Sequence, residues 1–184
     1  MASAPIVRPG SGLVAIAVAI AIGTAEPRGI GGALPSRSGA STTVTRQSAQ
    51  ITALIADLQF ARAQAIKQKS AVVTCASSDG ATCSNSNAWE LGWMVCLDVN
   101  NSASCDAGNP VYRVQKAFDS RDTFTASGNT SAILFNREGF AVGLAGDVTI
   151  TLHDASGDSS YTRCVDISAV GTLQVQKAGI GSCR

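Results

Sequence analysis

The sequence is poor in most of the groups that catalysis and ligand capture use. It has one histidine in 184 residues, 5% aromatic and 15% charged residues, and a formal net charge of +1. With so little net charge there is no long-range pull toward nucleic acid or an anionic membrane. The lone histidine, His153, ends an alternating run and is followed by Asp154, and no GxSxG, P-loop or HExxH occurs. Triad hydrolysis, phosphate cradling and zinc-protease chemistry therefore each lack their minimal residue set. The GIGG at 29–32 lacks the third glycine of a dinucleotide loop and has no strand leading into it. No CxxC pair is present, so a structural zinc site is a poor reading of the cysteines. The paired acids Asp119/Asp122 and Asp154/Asp158 flank Ser/Gly loops without the ligand order of an EF-hand, and read as solvated turn-capping carboxylates. No catalytic residue, metal, cofactor or small-molecule substrate is expected, and the chain reads as a non-enzyme.

A membrane-length apolar run is also missing. LVAIAVAIAI, residues 13–22, has ten residues, about 15 Å as a helix against roughly 30 Å of hydrocarbon. Three readings stay open for it: a secretory signal peptide cleaved after Ala25, a degraded version of a longer anchor, or a buried core segment. Residues 23–43 follow with five Gly and two Pro, a linker composition. The expected organisation is thus a degenerate or altered anchor/export segment with a Gly/Pro-rich linker over 1–43, then a globular domain over 44–184.

What is present in that second part is a core. The chain is 45% hydrophobic, enough for one domain of this size without metals. Residues 1–69 carry a net +5 and residues 70–184 a net −4, so the chain is basic in front and acidic behind. From Val44 to Gln68 there is no Gly or Pro, and Ile51, Leu54, Leu58, Ala61 and Ala65 recur at three- and four-residue steps, widened by Ile55 and Ile66. That spacing predicts an amphipathic helix over 44–68, with Arg46, Gln50, Gln64 and Lys67 on the opposite face. The cations near its end suit the negative end of the helix dipole. Residues 70–184 turn to short β-rich runs: 71–75, 92–98, 111–116, 132–136, 147–153, 162–168 and 172–176, separated by Gly/Asn/Asp/Ser clusters. The class is α+β, a long helix packed on an antiparallel sheet domain. Trp93 and Phe135 fall inside strand runs and read as core aromatics.

The six cysteines are Cys75, Cys83, Cys96, Cys105, Cys164 and Cys183. Nearest-neighbour bridges, Cys75/Cys83, Cys96/Cys105 and Cys164/Cys183, keep every closed loop local. The alternative is six buried free thiols. Bridges imply maturation in an oxidising space such as the periplasm or cell exterior.

LQFARAQAIKQKSAVVTC (58–75), then GWMVCLD, ILFNREG (133–139), CVDIS with Gly171 three residues on, and a cysteine near the C-terminus together resemble the GspH/FimT family. These are minor pilins of type IV pili and minor pseudopilins of type II secretion. The resemblance covers roughly 44–184. It implies a pilin-like fold and assembly with other pilins through helix packing, by way of Ile51, Leu54, Ile55, Leu58, Ala61 and Ala65. It also implies a site in the inner membrane and periplasm or in the filament. Prepilin peptidase would cut after Gly10 or Gly12, and the new N-terminus would be methylated. This sequence departs from the pattern there: no phenylalanine follows either glycine, and Ala15 or Ala17 stands where the family has glutamate. Some FimT-like members resemble the chain in fold and bind DNA through a Gly-Arg-x-Arg motif. The matching stretch here is Gly171-Thr172-Leu173-Gln174, leaving only Lys177 and Arg184 as weak candidate contacts, so DNA is disfavoured as a partner. A soluble, secreted, disulfide-bonded binding protein is the remaining alternative.

Overall fold

The computed structural model of the chain describes residues 38–183. Gly10, Gly12, the apolar run 13–22 and Arg184 lie outside the described residues.

Helix α1 runs Ser38–Gln68, beginning six residues ahead of Val44. At about 1.5 Å per residue it is about 46 Å long. It stops where Lys69 adopts a left-handed conformation (φ 54°) and the Ser70 amide donates to the Ala65 carbonyl at 3.3 Å. This satisfies an orphan carbonyl of the last turn with lysine in the place glycine usually takes. The side chains of Ile51, Leu54, Leu58, Ala61 and Ala65 are buried along one face.

Among the described residues nine strands follow: β1 Val72–Ala76, β2 Gly92–Leu97, β3 Val111–Lys116, β4 Thr123–Ala126, β5 Ala132–Phe135, β6 Ala141–Val142, β7 Val148–His153, β8 Arg163–Ile167 and β9 Leu173–Lys177. They form two antiparallel sheets where the sequence suggested one: β3-β2-β1-β5-β6 and β4-β7-β8-β9. β4 and β6 are additions to the seven runs read from sequence. Both are short: β6 has two residues, and the four-residue TFTA sits at the lower limit of the length at which alternation marks a strand.

The helix joins the sheets. Its buried stripe, with Val72, Trp93, Val95, Ile133 and Phe135 from the first sheet and Phe124, Ile150, Leu152, Val165 and Ile167 from the second, makes one continuous core. Trp93 sits edge-on to Phe118 and Phe124, with ring centroids 5.6 and 6.2 Å away. All five residues of β1 are buried, which explains why its sequence, VVTCA, does not alternate apolar with polar residues. Its outer face is covered by a second cluster of Val73, Cys75, Met94, Cys96 and Cys105.

Gly92 fixes the entry to β2. Its φ is 110°, and a Cβ there would lie 2.5 Å from the Gln115 carbonyl oxygen and 2.8 Å from that of Ser77. No side chain fits, so glycine at position 92 is a steric requirement of strand pairing.

Leu58 is fully buried at the centre of the stripe. Leu58→Ala is expected to lower unfolding free energy by about 2–5 kcal/mol, read from urea denaturation. A loss under about 1 kcal/mol would mean that the helix is not packed on the sheets as described.

Candidate functional site

The surface that sets this molecule apart is α1 itself: one face in the core, one face open. Ser48, Thr52, Ala56, Gln59 and Ala63 are exposed along the outer side. The inner face contains Ile51, Leu54, Leu58, Ala61 and Ala65, while Ile55 is half-buried at its margin. Three residues depart from the reading of the sequence: Ile66, Gln50 and Arg46, the last expected on the polar face but turned to buried Asp122. Ile66 is 48% exposed and lies over the Gly139 turn instead of widening the core stripe. Gln50, expected on the polar face, is only 4% exposed and donates to the Ser120 hydroxyl at 3.2 Å. An i+3 step from Gln47, itself buried, and an i+4 step to Leu54 put it on the inner side.

Three polar braces hold the open helix in place. At its N-terminal end the Arg46 guanidinium donates to both oxygens of Asp122 (2.8 and 3.0 Å) and to Asp154 at 3.1 Å. One arginine thus spans the segment before β4 and the segment after β7. This corrects the sequence reading of Asp122 as a solvated turn cap: its side chain is fully buried, and the guanidinium occupies the position a cation would take. Asp154 does cap its turn, accepting from the Ser156 amide at 2.9 Å, but it is also buried in the ion pair with Arg46. Asp158 does cap a turn, accepting from the Ser160 amide. Midway along the helix, Asp57 accepts from the Trp93 indole at 2.9 Å and from Arg113 at 2.8 Å. Arg113 in turn lies 3.7 Å above the Phe60 ring, a cation–π contact. Sequence reasoning passed over Asp57. Its signal was an acid inside the apolar stripe, three residues after Leu54 and one before Leu58, which must find partners when buried.

The third brace gathers separate pieces of the sequence pattern. Arg62 donates to the Gly171 carbonyl at 3.0 Å. A Cβ on Gly171 would lie 2.5 Å from the Gly139 carbonyl oxygen and 3.3 Å from Arg62 Nε, and one on Gly139 would lie 3.1 Å from the same nitrogen. The Arg62 of the helix, the glycine of NREG and the glycine after CVDIS therefore meet at one junction between the two sheets. Gly171 is buried there. Lys177, at the end of β9, is exposed and pairs in register with Arg163.

Beside Arg46 a groove of about 640 Å³ opens between α1 and the segment before β4, lined among others by Gln50, Phe118, Asp119, Arg121 and Asp122. His153 ends β7 with its Nδ1 3.2 Å from the Thr162 hydroxyl. The cysteines are joined as Cys75–Cys83, Cys96–Cys105 and Cys164–Cys183. Cys164 lies in β8, and Cys183 ties down the segment after β9. No helix of the described residues is long and apolar enough to cross a membrane.

Burial pushes the Asp122 carboxyl up, but hydrogen bonds from Arg46, Ser120 and the Ala155 amide, with the charge of Arg46, outweigh it and hold the group below the usual carboxylate range. A depressed folded pKa adds stability above the unfolded value of about 3.9 and loses it as pH falls through the folded value. Asp122→Asn is therefore expected to cost about 1–3 kcal/mol at pH 7. It should also flatten the decline in stability below about pH 4, as measured by urea unfolding from pH 2 to 7. An unchanged acid limb would remove the assignment.

The family model described as Type II transport protein GspH matches residues 50–171. No curated protein sequence matches the chain. Two crystal structures of the type IV minor pilin FimU of Pseudomonas aeruginosa (strain PAO1) are similar to it at 20% identity. The form in space group P65 gives a TM-score of 0.51 over 74% of this chain and 91% of that one. The form in P21 gives 0.52 over 76% and 90%. The likeness is one of fold: a helix packed on antiparallel sheets.

Proposed function

The chain belongs to the GspH family of type II transport proteins, and from that premise we propose that it is an assembly subunit. In this reading it is a minor pilin or pseudopilin that enters a type IV pilus or type II secretion pseudopilus by laying the outer side of α1 against the helices of neighbouring pilins. Members of this pilin-like family are structural proteins, not enzymes.

One observation carries the reading. α1 is braced along its inner face at Arg46, Asp57 and Arg62, yet its outer face is left open and is lined by small side chains at Ser48, Thr52, Ala56 and Ala63. Small residues let helix axes approach closely, so dispersion contacts accumulate along the whole length. The inner face alone closes the core of the described residues, which leaves the outer face free for neighbours. The outer face meets partners, and the inner residues Ile51, Leu54, Ile55, Leu58, Ala61 and Ala65 keep the rod straight. Residues 1–43 supply the export or anchor function, with processing after Gly10 or Gly12, and the domain resides in the periplasm at the inner membrane or in the filament.

Ala56→Arg introduces a long cation on the open face. It should leave folding stability within about 0.5 kcal/mol of the parent, as exposed substitutions do, while abolishing cysteine cross-linking of α1 to neighbouring pilins in cells. Deleting the gene should impair piliation or type II secretion, and intact function of both would sink the proposal. Sequencing the mature N-terminus separates the pathways. A start at Ser11 or Leu13 supports processing as a prepilin, whereas a start at Glu26 supports a soluble secreted protein instead.

A further inference from the structure

The sulfur-rich cluster on the outer face of the first sheet has a chemical property that assembly does not use. Register places Val73 opposite Cys96 and Cys75 opposite Met94, so Cys75 and Cys96 are diagonal neighbours on one face. The bridges Cys75–Cys83 and Cys96–Cys105 consequently lie side by side. The Sγ atoms of Cys75, Cys83 and Cys105 are all within 4.8 Å of one another, and the Cys105 amide donates to Cys83 Sγ at 3.0 Å. Three sulfurs this close would suit a metal if they were thiolates. They are held in disulfides, and adjacent disulfides are set up for exchange.

Access to the four sulfurs is unequal. Cys75 and Cys96 are fully buried and Cys105 is 1% exposed, whereas Cys83 is only half-buried, at the end of a solvent-facing loop. A thiolate arriving from solvent therefore meets Cys83 first. Attack at a disulfide sulfur expels the other sulfur as a thiolate, here into the interior beside the second bridge.

We propose that Cys83 is a thiol-exchange site for an external monothiol, and that Cys75 relays the exchange to the neighbouring bridge. In the first step the external thiolate bonds to Cys83 Sγ, the Cys75–Cys83 bond breaks, and the electron pair leaves on Cys75. In the second step the Cys75 thiolate bonds to Cys105 Sγ, the Cys96–Cys105 bond breaks, and the pair leaves on Cys96. One thiolate enters and one is formed, two disulfides exist before and after, and no oxidant or reductant is consumed. Cys96, buried in apolar surroundings, takes up a proton, because such burial disfavours the thiolate. The product keeps β1 tied to the β2–β3 loop through Cys75–Cys105 while Cys83 carries the visiting thiol.

The experiment is a disulfide map of the full oxidised chain after treatment with limiting reduced glutathione. Acid quenching, alkylation of free thiols and digestion before aspartate follow, with no reduction step. Cleavage before Asp57, Asp79, Asp98 and Asp106 places Cys75 on 57–78, Cys83 with Cys96 on 79–97, and Cys105 on 98–105. In the untreated chain 79–97 bridges the other two. The relay predicts, as the main product, 57–78 joined directly to 98–105, with 79–97 released carrying glutathione on Cys83 and alkyl on Cys96. Fragment 57–78 released with alkylated Cys75, while 79–97 stays joined to 98–105, would overturn the relay. Glutathione found on the other cysteines but not on Cys83 would overturn the entry site. Cys83→Ser gives an independent reading with no added thiol: more than half of the alkylation is expected on Cys96, and label confined to Cys75 contradicts the proposal.

Discussion

Removing one face of α1 from water is the constraint on which the rest of the structure depends. Neither sheet is closed by itself. The first is short of cover on the side carrying Val72, Trp93 and Val95, and the second on the side carrying Ile150, Val165 and Ile167. Both find their cover in the same row of helical side chains, from Ile51 to Ala65. The helix is thus less an appendage than the shared wall of two half-cores. The hydrophobic effect that seats it is non-directional, so it sets the burial but not the angle or the register of the rod.

Direction comes from the polar braces. Each ties an atom on α1 to one that belongs elsewhere in sequence: Arg46 to Asp122 and Asp154, Asp57 to Trp93 and Arg113, Arg62 to Gly171. Hydrogen bonds of this kind are geometrically demanding, and a shift of the helix by one residue would break all three together. Burial gives the association its strength and the braces give it a single solution. The buried carboxylates follow from that division, since an unpaired acid inside the apolar stripe would be costly.

Much of this was legible in the sequence, where a long periodic signal met little competition. The helix stripe, seven of the strands and the core positions of Trp93 and Phe135 follow from spacing and composition. What was not legible depends on partners far along the chain. Asp122 looks like any aspartate in a Ser-rich loop until Arg46, seventy-six positions away, is brought to it. Gln50 looks like a surface residue because an amide carries no sign of whether it will find Ser120. The division into two sheets is likewise a matter of which strand pairs with which, and single-strand patterns do not encode that choice. Arg62, Gly139 and Gly171 were visible as parts of a resemblance, but the reason they occur together became physical only when their atoms met.

The bridges join cysteines 8, 9 and 19 positions apart. Ring closures this short sample their ends quickly and carry a modest entropic toll. A polypeptide emerging stepwise into an oxidising compartment can therefore lock each thiol pair soon after it appears, before later segments arrive to offer wrong companions. The bridges of the first sheet, Cys75–Cys83 and Cys96–Cys105, thus do not need to wait for the second sheet, whereas Cys164–Cys183 closes only after β9 has appeared.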